Sequence, residues 1–266
     1  MTPEQITIAA AALVQAEATG QQCGLISLAH PDMTLDDAYA VQDAFVAAKQ
    51  AQGLTQIGWK IGLTSRAMQQ ALNITTPDSG VLLSDMLFSS GDTIPAGRFI
   101  QPRIEAEIAF VMKTDLAGAR VTRADVITAT DYVCPALEIL DTRVLRADPA
   151  TGTPRIIYDT VSDNAANAGV VLGCARHAPD AHDLRWTGAI VTCNGVVEET
   201  GLGAGVLNDP PTGIVWLVQR LAQYGRGLRR GDIVLSGSFI RPLEAPAGSQ
   251  FQADFGLFGR VDLAFE

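Results

Sequence analysis

The rhythm of apolar and polar positions along the chain changes near residue 55. Before that point the spacing is helical. Thr2-Pro3-Glu4-Gln5 reads as N-cap, first-turn proline and capping-box glutamine, and Thr34-Leu35-Asp36-Asp37 opens a second amphipathic run to Lys49. From Gln56 onward, short apolar runs bounded by Gly, Pro, Asp and Asn predict strands at 56–62, 103–111, 132–140, 188–197, 232–235 and 251–264. Helical spacing returns at Arg66–Leu72, at Thr122–Thr130 and at Pro211–Tyr224, where Ile214, Leu217, Leu221 and Tyr224 share a face. Asn194-Gly195 between two apolar runs predicts a hairpin, hence antiparallel pairing. Strands and helices do not alternate regularly, so the pattern predicts an α+β fold. Its expected parts are a helical cap over 1–55 and a β-rich body over 56–266, packed as one unit. The stretch 143–154, rich in Asp, Pro, Gly and Thr, reads as a mobile loop of the kind that forms lids.

Composition narrows the function classes. A chain of 266 residues that is 47% hydrophobic and 18% charged can bury a large core. Its net charge of -10 argues against a phosphate-backbone partner, so nucleic acid is set aside. No apolar run is long enough to span a bilayer and no secretory signal is visible, so a soluble, cytoplasmic protein is expected. Four cysteines without Cys-x-x-Cys spacing read as free thiols.

Charge then becomes informative residue by residue. In Arg103-Ile104-Glu105-Ala106-Glu107-Ile108, strand alternation places both glutamates on one face, about 7 Å apart. In Cys134-Pro135-Ala136-Leu137-Glu138-Ile139-Leu140 both faces are apolar, which predicts that Glu138 is buried and needs a partner. Arg103 or Arg143 could supply the charge, but a hard divalent cation accounts for all three glutamates at once. The three histidines, His30, His177 and His182, are scattered, so oxygen ligation favours Mg²⁺ or Mn²⁺ over zinc.

Gly58-Trp59-Lys60-Ile61-Gly62 sets one of only three lysines inside an apolar strand, where desolvation would draw its pKa down toward acid/base range. Asp78, in Thr76-Pro77-Asp78-Ser79-Gly80, could orient Lys60 or a water, or merely shape a turn. Gly201-Leu202-Gly203-Ala204-Gly205 lacks the third glycine of a dinucleotide fingerprint, and no nucleophile elbow, Walker loop or His-Glu-x-x-His helix occurs.

Four motifs together resemble the fumarylacetoacetate hydrolase superfamily, in its hydratase and decarboxylase branch: Gly58-Trp59-Lys60-Ile61-Gly62-Leu63-Thr64-Ser65, Gln101-Pro102-Arg103-Ile104-Glu105-Ala106-Glu107, Pro135-Ala136-Leu137-Glu138 and Ser162-Asp163-Asn164-Ala165-Ala166. The resemblance runs from about Gly58 to the C-terminus. It implies a mixed β-sheet roll behind an N-terminal helical segment, with Mg²⁺ or Mn²⁺ on Glu105, Glu107 and Glu138. It also implies Lys60 and Asp78 as catalytic groups, Leu63, Ser162 and Ser238 at the substrate, and a homo-oligomer, a ring of five or ten subunits.

Within the branch, Glu198–Asn208 and Gly237-Ser238-Phe239-Ile240-Arg241-Pro242 are most similar to hydratases of 2-oxohept-4-ene-1,7-dioate. That likeness makes Arg241 the expected partner of a distal substrate carboxylate, against a plain surface ion pair. Asp209-Pro210-Pro211 and Trp59 depart from the branch pattern, which leads one to expect His-Pro-Ala and a smaller or phenolic residue there.

The implied reaction is metal-dependent addition of water to a 2-hydroxydienoate, or its 2-oxo-4-enoate tautomer, to give a 4-hydroxy-2-oxo acid in aromatic-compound catabolism. Two relatives of that activity remain open: decarboxylation of a 2-oxo dioate such as 4-oxalocrotonate, and hydration of 2-oxopent-4-enoate. A role as an idle partner in a hydratase–decarboxylase complex is the structural alternative.

Overall fold

A computed structural model describes residues 1–71 and 74–266. The first 51 residues form α1 (Pro3–Thr19), α2 (Ile26–Ala29) and α3 (Leu35–Ala51). Thr2 accepts from the backbone N–H of Gln5 while the Gln5 side chain returns to Thr2, and Gly20 ends the helix at φ 68°. Thr34 and Asp37 make the same reciprocal cap for α3.

The body is built from β1 (Gln56–Gly62), α4 (Arg66–Ala71), β2 (Asp78–Leu83), β3 (Leu87–Ser89), β4 (Thr93–Ile94) and β5 (Arg103–Met112). There follow α5 (Arg123–Ala129), β6 (Thr130–Leu140), α6 (Ile157–Ser162), β7 (Asn167–Leu172), β8 (Gly188–Cys193), β9 (Val196–Leu202) and α7 (Pro210–Ala222). The chain closes with β10 (Ile233–Leu235), β11 (Leu243–Glu244), β12 (Gln250–Asp254) and β13 (Arg260–Phe265).

The strands make two mixed sheets. The larger runs β2-β1-β10-β5-β6-β7-β3, with β11 on the end of β5, and the smaller runs β4-β13-β12-β8-β9. Parallel pairs occur at β1/β10, β3/β7 and β4/β13, while the remaining pairs are antiparallel. One contiguous apolar core joins Leu13 and Phe45 of the helical segment to Ile104, Ile108 and Leu137 of the large sheet and to Phe251 and Val261 of the small one. Buried ions reinforce that seam: Arg143 pairs with Asp163 and with Glu17 of α1, and Glu17 also meets Lys49 of α3.

Most predicted elements are present, with informative differences. The predicted strand over 251–264 is two strands, turned at Gly256 and Gly259 with positive φ. Helix α7 ends at Ala222, so Tyr224 leaves the buried face of Ile214, Leu217 and Leu221 and reaches Asp36 at the surface. The end of the helix predicted to Leu72 lies outside the described residues. β2, β7 and α6 carry no clear alternation, because β2 and most of β7 are buried on both faces.

The stretch expected as a mobile loop is a paired excursion. Val144 bridges Cys23, Ala147 bridges Pro154, and Asp148 accepts from the backbone of Ala150 and Thr151.

The Asn194-Gly195 hairpin forms as expected, both residues taking positive φ between β8 and β9.

Candidate metal centre

Strand pairing assembles the acidic group. Glu105 lies directly opposite Glu138 in the antiparallel β5/β6 register, and Glu107 follows on the same face of β5. The register therefore brings together three carboxylates whose oxygens approach within 4.8 Å of one another. Glu107 and Glu138 are fully buried, and Glu105 is partly open to a cavity of about 540 Å³.

The donor chemistry fits a hard divalent cation. Oε1 of Glu107 and both oxygens of Glu138 are buried without a hydrogen-bond partner among the described residues, a costly arrangement for like charges unless a cation or protons intervene. Burial, reinforced by the Glu138 charge, pushes Glu105 up to about 8. Burial followed by the charges of Glu138 and Glu105 pushes Glu107 well above the carboxylate range, and burial likewise raises Glu138 against the pull of Lys60. Oε2 of Glu107 is fixed by the backbone N–H of Gly237 at 2.7 Å. Gly237 has φ 117°, and a Cβ there would collide with the Thr64 side chain, so only glycine lets this N–H approach.

Lys60 comes from the neighbouring part of the same sheet. Its strand β1 pairs with β2 so that Gly62 lies opposite Asp78, and β1 joins β5 through β10. The buried Nζ stands 3.6 Å from Oε1 of Glu138 and 3.9 Å from Oδ1 of Asp78. Desolvation does pull this ammonium down, but the combined field of Glu138, Asp78, Glu105 and Glu107 outweighs it and the net direction is upward. The expected lowering is thus reversed: burial was visible in the sequence, but four converging carboxylates were not. Burial raises Asp78 despite the opposing pull of Lys60. Arg143, a candidate partner for Glu138, is engaged elsewhere with Asp163 and Glu17.

The cavity above the trio is lined by Lys60, Asp78, Glu105, Leu63 and Ser238, which the sequence singled out. Two expected substrate contacts are not there. Ser162 closes α6 fully buried and does not reach the cavity wall. Arg241 points outward with 59% of its side chain exposed and pairs with Glu199 of β9, so it is a surface ion pair and not a cavity cation. The departures Trp59 and Asp209 also lie off the cavity lining.

In place of Ser162, the motif lends the wall Ala165 and Ala166, at the end of three successive residues with φ between 52° and 58°. This left-handed turn costs about 1–2 kcal/mol per residue. Asn164 anchors it by accepting from the N–H of Val81 and donating to its carbonyl, as a strand partner would.

The cations the cavity does contain are Lys60, Arg103 and Arg155. Arg103 was legible in principle, since alternation sets it on the same face as Glu105 and Glu107; Arg155 lies in a loop with no sequence signal.

Comparison with known proteins places the whole chain among relatives of named activity. The chain is 51% identical over 259 residues to the 2-oxo-hept-4-ene-1,7-dioate hydratase of Escherichia coli, covering 97% of each. It is 37% identical to the 2-keto-4-pentenoate hydratase of Paraburkholderia xenovorans, covering 100% of this chain and 97% of that one. Among solved structures, the 4-oxalocrotonate decarboxylase from Pseudomonas putida G7, complexed with magnesium and adipate, superimposes with a TM-score of 0.93 at 30% identity, covering 100% and 99% of the two chains. Residues 38–261 match the model of the fumarylacetoacetate (FAA) hydrolase C-terminal domain. The match spans most of the chain and includes every strand that builds the carboxylate trio, so this protein belongs to the fumarylacetoacetate hydrolase family.

Proposed function

We propose that this chain is a divalent-metal-dependent hydro-lyase. It adds water to a 2-hydroxydienoate, or its 2-oxo-4-enoate tautomer, to give a 4-hydroxy-2-oxo acid in aromatic-compound catabolism. The preferred substrate is 2-oxohept-4-ene-1,7-dioate. The carrying observation is the buried trio Glu105, Glu107 and Glu138 with orphaned oxygens, set beside the Lys60–Asp78 pair at the floor of one cavity.

Glu105, Glu107 and Glu138 would hold Mg²⁺, or Mn²⁺, which supplies Lewis acidity toward the C1 carboxylate and C2 oxygen of the substrate. The remaining steps fall to the side chains. Lys60, beside Glu138 and Asp78, delivers a proton to C5 of the dienol and takes back the one that the C2 hydroxyl gives up. The product of that transfer is an α,β-unsaturated ketone. Water then adds at C4, and Asp78 takes its proton and passes it on to C3. Asp78 suits the acceptor role because burial raises its carboxyl. Leu63 and Ser238 line the substrate's path, and Ile156 and Ile157 add apolar surface to the same cavity.

The chain is further proposed to act as a cytoplasmic homo-oligomer. Exposed apolar side chains on and beside the small sheet, including Trp186, Ile190, Val196, Leu202 and Leu257, support burial of that face against another copy.

The second reading is decarboxylation of a 2-oxo dioate, favoured by the near-complete structural likeness to the 4-oxalocrotonate decarboxylase. Incubation of the purified chain with Mg²⁺ and each dienoate separates the two. Formation of the 4-hydroxy-2-oxo acid without gas supports hydration, and CO₂ release with no hydrated product overturns it. Hydration by the chain alone also disposes of an idle structural role.

A further inference from the structure

With Arg241 on the surface, the cavity's charge is carried by other arginines. Arg103 stands two residues before Glu105 on the same face of β5, about 7 Å along the strand from a carboxylate of the trio. Arg155 lies just before α6, its backbone N–H bonded to the carbonyl of Arg146 at 2.9 Å. Both line the cavity. Arg146, which lies near both, is neutralised by Glu244 at 2.9 Å.

Arg103 and Arg155 form no ion pair among the described residues. Nε of Arg103 and Nη1 of Arg155 are buried there without a hydrogen-bond partner. Two guanidiniums in the lining of one cavity, each with a buried donor unmet, are unfavourable alone, and a carboxylate is the group whose paired oxygens match such forks. The same cavity is also lined by the apolar side chains of Ile156, Ile157, Ile240 and Pro242, which suits a short methylene chain.

We infer that Arg103 and Arg155 form the subsite for the distal carboxylate of a dicarboxylic substrate whose 2-oxo acid end lies at Glu105, Glu107 and Glu138. The inference rests on the 2-oxo acid reading above and adds the residues that select a dioate over a monoacid. The two arginines bind the far end of the chain and take no part in the proton transfers, so their removal is felt in affinity for the dioate and not in the handling of the oxo acid end.

Displacement calorimetry in saturating Mg²⁺ with two unreactive probes, 2-oxoheptanedioate and 2-oxoheptanoate, tests this without turnover. The unaltered protein is expected to bind the dioate on the order of 10- to 100-fold more tightly, the worth of charge-assisted hydrogen bonds to one carboxylate. Arg103→Met and Arg155→Met should each remove most of that preference while changing monoacid affinity by less than about 3-fold. Arg155→Lys, which keeps the charge and the bulk but loses the fork, should fall between them and covers the case in which a methionine variant fails to fold.

No preference in the unaltered protein, preference retained in the variants, or equal loss for both probes would each overturn the assignment. Hydration assays on the same proteins keep the two claims separate. Selective dioate binding without hydration sinks the hydratase reading alone, and hydration without selective binding sinks the arginine subsite alone.

Discussion

Nζ of Lys60 lies 3.6 Å from Oε1 of Glu138, so the proposed proton donor and a candidate metal ligand share one buried field. Burial alone would draw its pKa down; the charges of Glu138, Asp78 and the two β5 glutamates oppose that and draw it upward. Removal of that proton carrier should therefore slow the chemistry and spare the metal. Lys60→Ala is expected to lower kcat by about 10²- to 10⁴-fold, the usual worth of a positioned acid or base. Mg²⁺ affinity, followed by calorimetry, should be unchanged or stronger, since a competing cation has gone. A loss of Mg²⁺ binding with the activity would place Lys60 in the metal site's architecture instead.

The carboxylates make the response to pH directional. Glu105 has its folded value raised from 4.5 to about 8, and Glu107 and Glu138 move the same way. Between the unfolded and folded values the folded state holds more protons than the unfolded state, so these groups subtract stability as pH rises. In chelator-treated protein, Tm is expected to fall from about pH 5 to pH 8. Mg²⁺ binds the deprotonated carboxylates, so the Tm gain it gives should grow over the same interval. Thermal melts with and without Mg²⁺ across that range check both slopes, and a Mg²⁺ shift that is flat or shrinks with pH contradicts the trio as the ligand set.

Much of this site was written in local sequence, and the reasons differ by residue. Glu105 and Glu107 could be set on one face because alternation fixes strand faces, and Glu138 could be called buried because its neighbours are apolar on both sides. That Glu105 and Glu138 stand opposite each other is a matter of register between strands separated by a loop and α5, which no local pattern encodes. Arg241 misled for the same reason. Its motif lies beside Ser238, which lines the cavity, yet the chain turns it outward to Glu199. Ser162 was drawn in by its motif, whereas the left-handed turn after it presents Ala165 and Ala166. The fold was legible in longer elements with one wet face, as in α1, α3 and the β8/β9 hairpin. It was obscure where both faces are dry, as in β2 and much of β7.

Gly237 ties backbone geometry to the metal centre. Its N–H holds Oε2 of Glu107, and its positive φ and contact with Thr64 leave no room for a side chain. Gly237→Ala is expected to destabilise the fold by about 1–3 kcal/mol and, in the folded fraction, to weaken Mg²⁺ binding by roughly 10-fold or more. Denaturant melts and Mg²⁺ titration measure the two effects. A variant with ordinary Mg²⁺ affinity would show that Glu107 needs no such orientation.

The central claim, that Glu105, Glu107 and Glu138 hold the metal on which hydration depends, is tested most directly by Glu107→Gln. The measurement is Mg²⁺ titration paired with NMR of the product formed from 2-hydroxyhepta-2,4-dienedioate. The unaltered chain should yield 4-hydroxy-2-oxoheptanedioate only with Mg²⁺, and Glu107→Gln should bind Mg²⁺ at least about 10-fold more weakly and give little product. Near-normal hydration by Glu107→Gln, or by the unaltered chain in excess chelator, would contradict it.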